Sequence, residues 1–415
     1  MPHVSLADGR ARCDAIEAKP GRLPRAGFVF ASPDGDAGIL RATTSPISCK
    51  HGRCGWHLFA TEEQFNGGRG VDLDVQGRPV TVTAFTQGRN IPSSRLRVRQ
   101  LINPMARHGV QVHEETARWK SYPPRPWLAR PLWAVGNVAS RIPQVARSRR
   151  SDVCLLQREF LARHRTLERL TGRPRVFDVD DAIHLDRGGK GPAQAIARAS
   201  DLVVCGNEHL ARTYRDWAPR VEVLATAVDT AFYRPASPER SNFIVWVGSA
   251  SNVAFLERIA RALRRVLAER PGTRLAIVSD LRPALADEPG VDFVPWTPGA
   301  ERAALSGAAI GLMPLPDNEW ARGKCSYKML ASMASGLPVV VSPVGMNQEL
   351  LDQAEVGFGA SEEEQWVEAL LRLLDDPALR ARLGGNGRAL AEARYGVDAA
   401  AARYATWLRE LAGGP

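Results

Sequence analysis

The chain has 415 residues, 44% of them hydrophobic, and a formal net charge of +10. That length exceeds what one hydrophobic core organises, since single cores stop growing near roughly 250–300 residues, so two core-bearing domains are expected. No apolar run approaches the ~18 residues of a membrane-spanning helix, no charged-then-apolar leader opens the chain, and the six cysteines are scattered, which together point to a reduced, cytoplasmic protein, soluble or peripheral at a membrane.

Residues 1–78 are rich in Gly, Arg, Asp and Ser and lack sustained apolar periodicity; they read as an N-terminal extension, poorly structured and largely disordered. Within it Cys49, His51, Cys54 and His57 are zinc-binding residue types, but their spacing matches no standard zinc module and no metal site is assigned. Over 79–235, strands are predicted at 80–85, 110–113, 153–156, 175–179, 202–205 and 221–224, with a basic helix from Arg95 and a proline-interrupted basic helical region before the third strand. A turn-rich polar linker, PASPERS, covers 235–241. The cycle restarts over 242–396 with a strand at 243–247, the loop GSASN, a helix over about 253–269, strands at 275–278, 291–294, 310–313 and 339–341, and closing helices. A C-terminal helix is expected within 397–415. Strands alternating with helices in this way imply an α/β protein of two Rossmann-like, doubly wound parallel-sheet domains facing across a cleft.

The stretch from Gly323, GKCSYKMLASMASGLPVVVSPVGMNQELL, carries the most information about function. Met329, Leu330 and Met333 give a helix an apolar face, and small residues between them let it pack closely on a sheet. Gly336 and Pro338 end it. Val339 to Val341 is a wholly apolar, β-branched run of the kind buried on both faces in a parallel sheet. Ligands bind beyond the carboxyl ends of such strands, which places Ser342, Gly345 and Asn347 on the ligand edge together with Gly248, Ser249, Ser251 and Asn252 after the first strand of the second domain. Lys324 and Lys328 fall at the helix start, where backbone N–H groups favour an anion and lysine does not help the helix; a bound phosphate explains them, and two solvated surface lysines are the plain alternative.

Charge is uneven. Between Arg95 and Arg150 basic residues heavily outnumber Glu114 and Glu115, and Trp119, Tyr122, Trp127 and Trp133 are interleaved. Arginine with tryptophan suits an anionic membrane surface. A solvated basic face with inward tryptophans is the alternative, and no nucleic-acid motif accompanies the charge.

The Gly323 stretch resembles the C-terminal signature of GT-B glycosyltransferases of the large retaining family 4, the glycosyl transferases group 1, and within it a branch with a G-K-C-x-x-K motif before a G-x-P-V-V strand. The resemblance runs from about residue 79 to the C-terminus through the loop GRNIPSSRLRVRQL, then QRE, FDVDDAIHL, VVCGNEHLA and AVDTAFYRP, in that order. It implies a first domain that binds the acceptor, a second that binds the nucleotide sugar, and a last helix that crosses back to the first. The implied reaction moves a sugar, with retention and without a metal, from a UDP- or GDP-sugar to a glycan or lipid-linked acceptor in envelope or exopolysaccharide biosynthesis, with no cofactor. Candidate catalytic residues are Lys324, Lys328, Asp180 and Asp181. Donor-binding candidates are Lys324, Lys328, Gly248, Ser249, Ser251, Asn252, Ser342, Gly345 and Asn347; acceptor-binding candidates are Gly88, Arg89, Ser94, Arg95, Arg158, Asp180, Asp181, His184 and Asn207.

Several positions stay open. Asp178 and Asp180 also match the metal-binding D-x-D of the unrelated GT-A enzymes, although basic phosphate candidates in a second complete lobe make a metal unnecessary. Asp180 and Asp181 either orient acceptor hydroxyls or position His184, with capping as the structural role for Asp178. Asn207 and Glu208 serve equally as a helix cap. Gly323 and Ala331 stand where most family 4 enzymes carry two glutamates, leaving Lys324, Lys328 or Glu319 to compensate, or leaving an inactive GT-B scaffold. A GT-B sugar-nucleotide epimerase is a further alternative.

Overall fold

The structure, a computed structural model, describes residues 78–413 apart from 90, 120–123, 125 and 236–241, and five strand segments earlier in the chain. Those segments lie in a separate unit, Met1–Asp74. They are β1 (Val4–Ala7), β2 (Arg10–Cys13), β3 (Phe28–Ala31), β4 (Ala37–Pro46) and β5 (Trp56–Thr61), paired antiparallel as β1-β2 and β3-β4-β5. The Cys49, His51 and Cys54 cluster, with the His57 side chain, lies outside the described residues.

The unit Val75–Pro415 holds two six-stranded parallel sheets. The first lobe contains β6 (Val80–Thr86), β7 (Val110–Thr116), β8 (Val153–Gln157), β9 (Arg175–Val179), β10 (Leu202–Cys205) and β11 (Val221–Val223), in the order β11-β10-β9-β8-β6-β7. The second contains β12 (Phe243–Val247), β13 (Arg274–Ser279), β14 (Val291–Pro295), β15 (Ile310–Met313), β16 (Val339–Val341) and β17 (Gly357–Gly359), in the order β14-β13-β12-β15-β16-β17. Every residue of β8, β9, β10, β15 and β16 is buried, as continuous apolar runs covered on both faces require. Strand order reverses between β6 and β8 and again between β12 and β15, which sets each crevice at the carboxyl ends of those strands.

Within Val75–Pro415, two elements differ from the sequence expectation. β17 has the sequence GFG, too short and glycine-rich to read as a strand. It forms because Gly357 has no side chain: a Cβ there would lie 1.9 Å from the Val339 carbonyl oxygen of the neighbouring strand. The helix expected over 253–269 is divided into Val253–Glu257 and Ala260–Glu269, with Ile259 outside helical geometry at φ −104° and ψ 10°.

The last helix, Val397–Gly413, packs on the first lobe, where Ala401, Tyr404, Ala405 and Leu408 join Val82, Leu155, Val176 and Val204 in one core. Burying a side chain such as Leu408 contributes about 1.5–3 kcal/mol. A polar anchor reinforces the docking. Asp178, fully buried on β9, accepts from Arg97 Nε at 2.9 Å and Nη2 at 2.8 Å and from the Tyr404 hydroxyl at 3.1 Å, while Arg97 Nη1 donates to the Leu224 carbonyl at 2.6 Å. Burial opposes the Arg97 charge, but the Asp178 carboxylate outweighs it and holds the guanidinium firmly protonated. Asp178 therefore has a structural role, binding strand, helix and C-terminus together rather than capping a loop or meeting a metal.

Candidate active site

The loop that precedes the helix Tyr327–Ala334 in the second lobe lies against the carboxyl ends of β9 and β10 in the first. Its backbone is gripped by Asn207, whose Nδ2 donates to the Arg322 carbonyl at 3.2 Å and the Lys324 carbonyl at 3.0 Å, while its Oδ1 caps the helix Glu208–Arg215 by accepting from Leu210 N at 2.9 Å. The Cys325 thiol donates to the Asp180 carbonyl at 2.9 Å. Two glycines permit this approach: a Cβ on Gly206 would sit 2.0 Å from Cys325 Sγ, and one on Gly323 would sit 2.8 Å from the Ala182 Cβ. Burial pushes the Cys325 thiol up to about 12, so it remains a neutral hydrogen-bond donor.

At this junction the charged candidates meet. Arg158, held at a positive φ of 62°, donates from Nε to Asp180 Oδ1 at 2.7 Å and from Nη2 to Asp181 Oδ2 at 2.5 Å. Asp181 Oδ1 lies 3.8 Å from Lys324 Nζ across the lobes, and that ammonium also lies 5.8 Å from the centre of the Trp320 ring. Burial works against ionisation of Asp180, but Arg158 outweighs it and keeps the carboxyl below the usual range.

The helix Tyr327–Ala334 begins without a side-chain cap. Its N-cap, Ser326, is in the left-handed region at φ 47°, and its hydroxyl donates to Asn347 Oδ1 at 2.7 Å instead of bonding the first turn. Asn347 in turn donates to the Ser342 carbonyl at 3.0 Å, and the Ser342 hydroxyl accepts from Leu315 N at 3.0 Å. Both predicted donor residues are buried, and their side chains brace the loop around the helix start. Gly345, at φ 55°, is pressed against the same loop, where a Cβ would fall 2.7 Å from the Arg322 carbonyl oxygen. Lys328 is partly buried one residue into the helix, and no carboxylate among the described residues pairs with it. Burial, then the like charge of Lys324, brings its ammonium down to about 8.

Beside Lys328 lies a cluster that the sequence did not reveal. Glu301, buried, accepts from the Tyr233 hydroxyl at 2.9 Å and from Trp296 Nε1 at 2.7 Å, and the Tyr327 hydroxyl donates to Tyr233 at 3.3 Å. Arg95 of the first lobe stacks 5.1 Å from the Trp296 ring centre, a second bridge between lobes. Tyr327 follows directly on G-K-C-S, but Trp296 and Glu301 carry no local motif, so only folding assembles them with it.

The loop after β12 turns sharply. Gly248 is packed against Trp246, whose ring would be 2.3 Å from a Cβ, and Ser249 is exposed, its hydroxyl 3.0 Å from that of Ser251 and accepting from Asn252 Nδ2 at 2.7 Å. In the first lobe Gly88 has a φ of 148° and the Arg89 carbonyl accepts from Arg99 at 3.5 Å. The hydroxyl of fully buried Ser94, the Gln157 Oε1 and the Glu159 Oε2 have no partner among the described residues. His184 sets its ring edge-on to Tyr214 and Trp217, 5.8 and 5.9 Å away between centres, and burial followed by the charge of His209 lowers its pKa. No group of three or more His, Cys, Asp or Glu suited to a metal occurs among the described residues.

Packing restricts the two positions where the resemblance implied glutamates. Gly323 has no room for a side chain against Ala182, and Ala331 is buried in the lobe core.

Residues 241–376 match the family model described as Glycosyl transferases group 1. The match falls on the second lobe. Among curated proteins none matches this chain at a significant level. Among solved structures the chain is similar to a sucrose-phosphate synthase from Thermosynechococcus elongatus, with a TM-score of 0.63 and 16% identity over 80% of this chain and 99% of that one. A glycosyltransferase from Rickettsia africae gives a TM-score of 0.63 with 10% identity over 82% and 100% of the two chains. The E. coli trehalose-6-phosphate protein bound with UDP-2-fluoro glucose gives 0.55 with 11% identity over 80% and 99%. Over the part these structures cover, the chain shares their two-lobed GT-B fold.

Proposed function

We propose that this chain transfers a sugar from a nucleoside diphosphate donor, UDP- or GDP-linked, to a hydroxyl of a glycan or lipid-linked acceptor in envelope or exopolysaccharide biosynthesis. The transfer retains anomeric configuration and uses no metal. One observation carries the reading: Lys324 and Lys328 stand at the uncapped start of Tyr327–Ala334, at the lobe junction, with Lys324 facing the Asp181 carboxylate of the opposite lobe. An anion placed there meets two ammonium groups and the positive end of a helix.

Chemically, the departing diphosphate gains charge as the sugar becomes cationic. Preorganised donors aimed at that charge are each worth roughly 10²–10³ in rate. Lys324, Lys328 and the first-turn N–H groups supply them. Asp180, held ionised by Arg158, is a poor proton acceptor, since a base is most effective with a pKa near the working pH, and Asp181 shares the same guanidinium. They orient the acceptor hydroxyl, and its proton passes to the departing phosphate on the same face. The unpartnered polar atoms of Ser94, Gln157 and Glu159 suit a polyhydroxylated acceptor. The basic segment 95–150 supports a position at an anionic membrane surface on the cytoplasmic side.

A thermal-shift panel of UDP-, GDP-, ADP- and TDP-sugars, with and without EDTA, tests this reading. One donor is expected to stabilise the protein by about 2.7 kcal/mol at 100 times its dissociation constant. That protection should disappear in Lys328→Ala and survive EDTA. Protection by none of the donors would favour a scaffold without activity, and loss in EDTA would overturn metal independence.

A further inference from the structure

The helix Arg130–Ser148 is inside out. Its buried residues are Asn137, Arg141, Gln144, Val145 and Ser148, nearly all polar. Their side chains satisfy backbone groups at the ends of two strands: Arg141 donates to the Thr86 carbonyl at 2.6 Å and the Glu115 carbonyl at 2.9 Å, and Gln144 Nε2 to the Thr116 carbonyl at 2.9 Å. Apolar side chains face away. Leu132 is 70% exposed, Val135 66% and Ile142 58%, and in the preceding turn Trp127 is 72% and Leu128 73% exposed. The spacing 128, 132, 135, 142 forms a single stripe along the helix. Most of the large hydrophobic residues exposed anywhere among the described residues belong to this stripe or to neighbouring Trp119. Exposed arginines lie near it in sequence at Arg118, Arg130, Arg149 and Arg150, Arg147 is paired with Glu115 at 2.7 Å, and no acidic residue occurs between Glu115 and Asp152.

A contiguous apolar patch of this kind on a water-facing surface marks a binding site. What covers it must be both apolar and negatively charged. A second copy related by a two-fold axis would bring Arg118, Arg130, Arg149 and Arg150 towards arginines of like charge, with no intervening acidic residue in this segment. Nucleic acid would accept the arginines and leave Leu132, Val135 and Ile142 in water. An anionic bilayer meets both demands, because apolar side chains sink below the headgroups while arginines lie against phosphates and indole sits between.

We propose that the 127–148 face docks on an anionic lipid surface, with Trp127, Leu128, Leu132, Val135 and Ile142 in the interfacial layer. This rests on the peripheral-membrane part of the reading above and is independent of the chemistry at Lys324. The test is flotation of the full chain with vesicles of phosphatidylcholine alone or containing about one third phosphatidylglycerol. Binding to the anionic vesicles is expected, weakened about tenfold or more on neutral ones, in Leu132→Asp/Val135→Asp, and in Arg130→Glu/Arg150→Glu. Trp127→Ser, in the turn outside the helix, should weaken it several-fold without touching the fold. Nucleotide-sugar protection measured on the same variants should be unchanged, which separates this proposal from the donor assignment. Absence of vesicle binding, equal binding to both lipids, or a dimer in solution that Leu132→Asp dissociates would overturn it.

Discussion

At the scale of single residues, Lys328 is the group whose charge state matters most. With its ammonium brought down to about 8, affinity for a nucleoside diphosphate should fall as pH rises from 7 to 9, by up to about tenfold for each unit above that value. Titration calorimetry at the two pH values checks this, and Lys328→Arg, charged throughout, should flatten the dependence. Stability should move the other way. Between about 8 and the ordinary lysine range the unfolded chain binds the proton that the folded chain has lost, so the fold gains stability with rising pH there. Asp178 makes a second residue-level prediction. Asp178→Asn leaves the buried Arg97 guanidinium without its counter-charge, and removing one partner of such a pair costs about 3–5 kcal/mol, measurable by urea denaturation. These effects were only partly readable beforehand: the sequence showed three aspartates at the end of one strand, but not that Asp178 is buried against Arg97 and Tyr404 while Asp180 and Asp181 meet Arg158.

Among elements, the loop 322–326 and its glycine neighbours decide how the lobes meet. Gly206→Ala would force its new methyl against Cys325 Sγ, and overpacking of this kind typically costs about 1–3 kcal/mol. A lower melting temperature with reduced nucleotide-sugar protection is the expected result. Introducing a glutamate through Gly323→Glu should likewise destabilise rather than activate, because Ala182 and Leu210 already occupy the space. An active Gly323→Glu enzyme of unchanged melting temperature would contradict this packing argument. The sequence displayed this helix and its lysines plainly through apolar spacing, Gly336 and Pro338. It could not display the role of Gly206 and Asn207, which read as an ordinary cap until the second lobe's loop is placed against them.

Across the whole molecule, the lobes are joined by the returning C-terminal helix and by small polar bridges between them. The Asn207 bonds, the Cys325 thiol, the Lys324–Asp181 pair and the Arg95–Trp296 stack all cross the junction. Asn207→Ala should therefore loosen the junction, raising the radius of gyration in small-angle scattering and raising KM for the donor more than it changes the melting temperature. Tyr404→Phe should cost only about 0.5–1.5 kcal/mol, since it removes one hydrogen bond and keeps the apolar docking of the last helix.

By itself the sequence determined the α/β architecture, the strand positions in both lobes apart from β17, and the cationic helix start, because each is written in local periodicity, turn residues and charge within one segment, while the returning helix was implied by the family resemblance. Tertiary structure alone decided which side chains meet: the Glu301 cluster, the Asp178 anchor, the glycine-permitted contact of Gly206 with Cys325, and the outward turn of the Arg130–Ser148 apolar face. Those depend on the approach of segments distant in the chain, where a single missing Cβ or one buried carbonyl sets the outcome, and no local pattern encodes that distance.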